Sequence, residues 1–156
     1  MSCFLIVAAP AAYLATRGSS ETTFVAYAPE RTAAEFREEA AGLTLAPGWK
    51  WPAAPIPRTA PDGRRMMYER GFGTQAADRY WYCSWATHAL DPGVGASARR
   101  QAVASAASLR KTYYFTTALA PASRPLVEDL LRRAVHGDLR GLRRDVELNC
   151  PRAPGG

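Results

Sequence analysis

The spacing of apolar residues predicts helices over most of the chain. Phe36 and Leu43 fall on one face at helical spacing, seven residues apart. Just before them, Thr32 and Glu35 match a capping box, in which the hydroxyl and the carboxylate bind free amides at a helix start. We therefore expect a first helix to begin near Thr32, and Gly42 is placed to end it.

A second helix, predicted from about Thr74 to Leu90, carries the largest side chains of the chain. Trp81, Trp85 and His88 share one of its faces. Exposed, the two tryptophans would form a stacking platform for a sugar or a partner chain. Buried, they would anchor neighbouring segments in the core. Because these are the largest apolar groups available, we predict that both tryptophans are buried.

Three more helices are predicted in the second half. One runs from Ser97, its expected cap, to about Leu119, because Pro121 excludes continuation. The next has an apolar stripe at helical spacing, formed by Leu126, Val127, Leu130, Leu131, Ala134 and Val135. His136–Asp138 is expected to stop that helix and start a final one, which continues to Asn149.

Extended structure is predicted only in short pieces. Thr22–Ala28 can form one strand or an extended arm. Ala46–Gly63 contains five prolines, which exclude a helix interior and a central strand, so we expect a strap of irregular backbone flanked by Trp49 and Trp51. The predicted fold class is therefore mainly α: four to five helices packed as an irregular bundle, with a Pro-rich strap and at most one short strand pair.

Length and composition fit one ordinary globular domain. The chain has 156 residues, of which 47% are apolar and 22% are charged. We divide it into an apolar leader (1–20), a helical domain (21–150) and a loose tail (151–156). The leader is shorter than the roughly 20 apolar residues of a membrane span, and it lacks the charged start of a secretory signal. It is either the end of a membrane or signal segment that starts upstream or a buried N-terminal element, and Pro10 favours the first.

The positive charge is concentrated in the second half. The net charge is +6; up to Leu90 nine basic residues face eight acidic ones, and from Asp91 onward eleven face six. A basic surface can attract nucleic acid, anionic lipid or an acidic wall polymer. However, the excess of arginine also fits a high-GC coding sequence. In the last two helices acidic residues interrupt the basic ones, so we do not expect nucleic-acid binding.

No motif indicates catalysis, a cofactor or a metal. Gly71–Ala76 fits the Gly-x-Gly-x-x-Ala dinucleotide pattern, but no buried strand precedes it, so it indicates a turn and a helix start. Gly95–Arg99 lacks the second glycine of a nucleophile elbow. His88 and His136 lie in no metal-ligand spacing. The remaining candidates are for binding, and they are Trp49, Trp51, Trp81, Trp85 and His88.

Cysteine use bears on location. Cys3 lies in the leader, which leaves Cys83 and Cys150 as one pair in the body. A disulfide between them would close a long loop and would require an oxidising compartment. The alternative is two buried free thiols in a cytosolic protein. We favour the disulfide, with Cα atoms within about 7 Å.

Several short motifs together resemble a known group of proteins. They are Trp51-Pro52, Tyr68, Gly71-Phe72-Gly73, the segment Tyr80–Trp85, Gly137-Asp138 and Asn149-Cys150-Pro151. Over about 110 residues this pattern resembles small membrane-anchored proteins of high-GC Gram-positive bacteria, which have one N-terminal membrane segment and an exported domain. The resemblance implies an extracytoplasmic location and a paired Cys83 and Cys150. It implies no activity and no catalytic residues.

These observations favour an exported, membrane-tethered helical domain that acts by binding a protein or a cell-envelope component. Two alternatives remain. One is a cytosolic regulatory or nucleic-acid-associated helical protein. The other is a small hydrolase or lyase whose site is assembled from residues without a recognisable motif.

Overall fold

The structure is a computed structural model that describes residues 25–152. Within that range it is mainly α, as predicted, with five α-helices and one two-stranded antiparallel pair. The predicted leader and the last four residues of the predicted tail lie outside the described range. Among the described residues, no helix is long and apolar enough to cross a membrane.

The elements follow one another along the chain with few long connections. The strands are β1 (Ala26–Tyr27) and β2 (Tyr68–Glu69), and the helices are α1 (Pro29–Ala41), α2 (Phe72–Leu90), α3 (Ala96–Ala107), α4 (Arg124–Val135) and α5 (Arg140–Asn149). Between α3 and α4 lie a 3-10 turn (Ser108–Lys111), a π-helical turn (Tyr114–Ala118) and a second 3-10 turn (Pro121–Ser123). The Pro-rich strap between α1 and β2 is irregular, as predicted.

Helices α1 and α2 meet at a very close approach. A Cβ added at Gly73 would lie 2.1 Å from the carbonyl oxygen of Thr32 and 2.7 Å from the amide nitrogen of Phe36. Farther along, Phe36 and Ala77 belong to one buried cluster. Glu35 of α1 binds the first amides of α2, and the carbonyl of Thr44, just after α1, is bound by Trp81 farther along α2, so the two helices run in the same direction. Only a residue without a side chain permits this packing at position 73.

The predicted capping box is wrong, and the same carboxylate caps another helix instead. Helix α1 begins at Pro29, and the Thr32 hydroxyl donates to the carbonyl of Ala28, the residue just before the helix. Glu35 reaches across to the start of α2, where it accepts hydrogen bonds from the amides of Gly71 (3.1 Å) and Gly73 (3.3 Å). A carboxylate at a helix N-terminus satisfies free amides and interacts favourably with the helix dipole.

The aromatic half of α2 binds the segment that follows α1. The indole nitrogens of Trp81 (3.0 Å) and Trp85 (2.9 Å) both donate to the carbonyl of Thr44. One turn away, the Ser84 hydroxyl accepts from the amide of Ala46. Trp81 is buried, as predicted, but Trp85 is only half-buried, so the prediction for that residue is wrong. One edge of the Trp85 ring is hydrogen-bonded to the segment after α1, and the ring is partly exposed to solvent.

The predicted single helix from Ser97 to Leu119 is interrupted. Helix α3 begins at Ala96 and ends at Ala107, after which the backbone tightens into a 3-10 turn and then turns extended at Thr112. The chain resumes as a π-helical turn, and Asp78 of α2 accepts a hydrogen bond from the amide of Tyr114 at 2.8 Å. Through this tertiary hydrogen bond, α2 holds the first residue of the π-helical turn.

Helices α4 and α5 complete the core with few residues. Leu131 and Ala134 of α4 and Leu142 of α5 are buried in the same cluster as the aromatic face of α2. The apolar stripe predicted for α4 is only partly internal, because Leu126 is 74% exposed and Val135 is 53% exposed. The prediction that this helix stops at His136–Asp138 is confirmed.

Helix α5 is joined to α2 at two places. The sulfurs of Cys83 and Cys150 lie at disulfide-bonding distance, and their Cα atoms lie 5.4 Å apart, within the predicted limit. Nearby, the Tyr82 hydroxyl donates to the carboxylate of Asp145 at 2.6 Å. Burial, together with that carboxylate, raises the pKa of Tyr82 above its usual range, so the hydroxyl keeps its proton for this bond.

The close approach of α1 and α2 predicts the effect of adding one methyl group. Gly73→Ala should destabilise the fold by about 1–3 kcal/mol, the usual range for overpacking, because the new Cβ meets rigid backbone. Gly42→Ala is the matched control, since its Cβ would make only an ordinary 3.6 Å contact. Denaturant unfolding measures both variants, and equal stability of the two would contradict the close approach of α1 to Gly73.

Candidate functional site

A groove lies between α3 and the turn that joins α4 to α5. Its volume is about 660 Å³. The apolar side chains in its lining are Ala96, Val103, Ala104, Ala134, Val135 and Leu139. The remaining lining residues are Arg99, Arg100, His136 and Gly137.

One wall of the groove is held by an arginine that binds the end of another helix. The Arg99 side chain donates to the carbonyls of Ala89 (3.0 Å) and Asp91 (2.9 Å), at the C-terminal end of α2. Cations are favourable at this end of a helix, where carbonyls lack intrahelical partners. These bonds position the first turn of α3 against α2, so the wall formed by α3 is anchored to the core.

The opposite wall is a tight turn. Gly137 adopts a left-handed backbone conformation (φ 92°), and its amide donates to the carbonyl of Ala134. Asp138 then accepts from the amide of Arg140, while the Arg140 side chain lowers the pKa of Asp138 to about 2. The turn is thus fixed by local hydrogen bonds on both sides of Gly137, and it presents Val135 and His136 to the groove.

The charge of the groove has one sign. Two arginines and a histidine lie in the lining, and none of the lining residues is acidic. The Arg100 side chain makes no ion pair or hydrogen bond with another described residue, whereas the side chains of Arg132 and Arg133 of α4 are both paired with Asp129. An apolar floor with cationic side chains suits a ligand that combines an apolar body with a negative group.

The sequence-predicted binding residues lie elsewhere, and the structure brings two of them together. Trp49 packs edge-on against Tyr80 (ring centroids 5.5 Å apart), and Trp51 lies between Tyr80 (5.4 Å) and Phe36 (5.5 Å). The Tyr80 hydroxyl also donates to the carbonyl of Lys50. These aromatic contacts fasten the Pro-rich strap to α1 and α2.

The other three candidates form a separate group on α2. Trp81 and Trp85 share the Thr44 carbonyl, and His88 packs edge-on against Trp85 at 6.3 Å. None of the five candidates lines the groove. Whether any of them binds a ligand stays a prediction.

Sequence reasoning did not find the groove because its walls come from distant segments. Residues 96–104 and 134–139 each look like ordinary helix ends. Two signals were available: the Arg99-Arg100 pair beside a predicted helix start, and a second predicted turn that carries His136. Neither signal shows that the two segments meet.

Gly71–Ala76 forms the turn and first residues of α2, and Glu35 occupies its free amides, as described. No group of three or more His, Cys, Asp or Glu residues placed to hold a metal ion occurs within residues 25–152.

Comparison with known proteins adds no relative. No protein family, curated protein or solved structure matches this chain. The resemblance to membrane-anchored proteins of high-GC Gram-positive bacteria therefore stays a prediction.

Proposed function

We propose that the chain is a non-catalytic binding domain that works outside the cytoplasm, at or near the cell membrane. We propose further that the groove between α3 and the α4–α5 turn binds an anionic amphiphile, with an apolar body and a carboxylate or phosphate head. The observation that carries the proposal is the composition of the groove: six apolar residues, two arginines, a histidine and no acidic residue.

The size of the groove supports a small ligand. Pockets for small molecules usually measure about 300–1,000 Å³ and combine a mainly apolar lining with a few polar groups. The groove falls within that range, at about 660 Å³. Val135, half of which is exposed at the edge of the groove, would be covered by an apolar chain.

The charges support a negative head group. Arg100 is exposed and makes no ion pair among the described residues, so its guanidinium can bind a carboxylate or phosphate through two parallel hydrogen bonds. Arg99 is already held by two carbonyls, which fixes its position and leaves part of the guanidinium without a bond. A cell-envelope lipid or fatty acid has the required chemistry.

The cysteine pair supports the proposed location. Cys83 and Cys150 lie at bonding distance, and structural disulfides persist mainly in oxidising compartments. Protein taken from its native host and alkylated at lysis should carry the Cys83–Cys150 bond, seen as a linked peptide by mass spectrometry. Alkylation of both residues without prior reduction would contradict the extracytoplasmic location.

Binding is tested by calorimetry with monomeric dodecyl phosphate. We expect saturable binding at one site, with weaker or absent binding of dodecyltrimethylammonium, which has the same chain and the opposite charge. Arg100→Glu should weaken the binding of dodecyl phosphate about tenfold or more, since a charge-assisted hydrogen bond contributes about 1.5–3 kcal/mol. Arg70→Glu, at an exposed arginine outside the groove, is the control and should bind as the wild type does.

Membrane vesicles distinguish the two possible sources of the ligand, a free amphiphile and a lipid in a bilayer. Vesicles of phosphatidylglycerol, with phosphatidylcholine as the neutral reference, present the anionic head on a bilayer. Binding of dodecyl phosphate alone would indicate a free amphiphile, and binding of both would indicate a lipid. Binding of the vesicles alone, or equal weakening by both arginine variants, would contradict the groove as the site.

A further inference from the structure

Asp78 is a buried carboxylate with an incomplete set of hydrogen bonds. It lies on α2 and is 0% exposed. Its Oδ2 accepts from the amide of Tyr114 at 2.8 Å, whereas Oδ1 is buried without a partner among the described residues. A buried acceptor that lacks a donor is destabilising, so native proteins seldom leave one unpaired.

The surrounding donors are already used. The Thr112 hydroxyl donates to the carbonyl of Leu109 at 2.9 Å, and it lies close enough to Asp78 to lower the pKa of that carboxyl as well. The guanidinium of Arg79, the next residue on α2, lies over the ring of Tyr114 at 5.6 Å from its centroid. Neither group supplies a proton to the unpaired Oδ1.

The remaining neighbour is a second carboxyl group. Helices α1 and α2 are parallel, and the register that places Glu35 against Gly73 places Glu39, about one turn along, beside Asp78. Burial raises the pKa of both carboxyls, and the negative charge of Asp78 raises that of Glu39 further. The backbone amides of Tyr114 and Tyr113 and the side chain of Thr112 favour the ionised form of Asp78, so of the two groups Glu39 is the better proton carrier.

We propose that Glu39 carries a proton and donates it to the unpaired Oδ1 of Asp78. This acid pair is then a proton-dependent contact that joins α1, α2 and the π-helical turn. With the proton present, Asp78 accepts from Glu39 on one oxygen and from Tyr114 on the other. When the proton is lost, the buried Asp78 carboxylate faces the half-buried carboxylate of Glu39, and the two repel. The contact then loosens, and with it the hydrogen bond that holds the π-helical turn.

The direction of the pH effect follows from the raised pKa values. A group whose pKa is higher in the folded than in the unfolded state stabilises the fold below the unfolded pKa, and this stabilisation is lost as pH rises through the folded pKa. The contact is therefore complete at acid pH, and it weakens as the pH rises above the ordinary range of a carboxyl. Most buried carboxylates, which pair with cations, behave in the opposite way.

A comparison of three proteins tests the proposal: wild type, Glu39→Gln and Glu38→Gln. In Glu39→Gln the new side-chain amide would donate to Asp78 at every pH, whereas Glu38 is exposed on the same helix and serves as the control. As pH rises, the wild-type unfolding equilibrium constant should increase relative to that of Glu39→Gln, by about tenfold for each unit by which the shared pKa is raised. Glu38→Gln should follow the wild type. A Glu39→Gln variant with the wild-type pH dependence would overturn the proposal.

A measurement on the wild type keeps the test independent of any variant. Carbon-detected NMR follows the Glu39 and Asp78 carboxyls, and the amide shift of Tyr114 reports on the π-helical turn. We expect the three signals to change together, with a midpoint above the ordinary carboxyl range. Independent titration of the two carboxyls near their usual values of about 4, with no response from Tyr114, would overturn the proposal.

Discussion

The fold depends on the close parallel contact between α1 and α2. At Gly73 the backbones approach so nearly that no side chain fits, and the Glu35 carboxylate of α1 accepts hydrogen bonds from the first amides of α2. The glycine sets the distance between the helices, and the carboxylate sets their register. Because the helices are parallel, a long connection must return the chain from the end of α1 to the start of α2. The Pro-rich strap is that connection, and Trp51 packs it between Phe36 and Tyr80.

Helices α1, α3 and α5 and the π-helical turn all pack directly on α2. From its start to its end, Asp78 binds the turn at Tyr114, Trp81 binds the segment after α1, and Cys83 meets the end of α5. At the far end, Arg99 of α3 binds the carbonyls of the last turn. The proposed ligand groove and the proposed acid pair therefore lie toward opposite ends of one helix. The groove lies between α3, which binds the C-terminal end of α2, and the α4–α5 turn. The acid pair lies within the contact between α1 and α2.

The sequence predicted the helical fold well, because periodic apolar positions and prolines act locally. It predicted the wrong partner for Glu35, since a local capping box and a tertiary cap use the same residue, and the true partners lie 36 and 38 positions away. The sequence also predicted one continuous helix through α3 and the π-helical turn, because nothing local shows that Asp78 binds the Tyr114 amide. The groove was not predictable for the same reason: its two walls are distant in sequence, and only the packed structure shows that they meet.

The Glu35 carboxylate offers the most direct test of this account, in a comparison of Glu35→Ala with Glu38→Ala by denaturant unfolding. Both substitutions remove one negative charge and the same side-chain atoms from α1, but only Glu35 binds the start of α2. Hydrogen bonds to a charged group contribute about 1.5–3 kcal/mol, so Glu35→Ala should lower the free energy of unfolding by about that amount. Glu38→Ala, at an exposed site, should change it by less than about 0.5 kcal/mol. Equal free energies of unfolding for the two variants would contradict the central role of the α1–α2 contact.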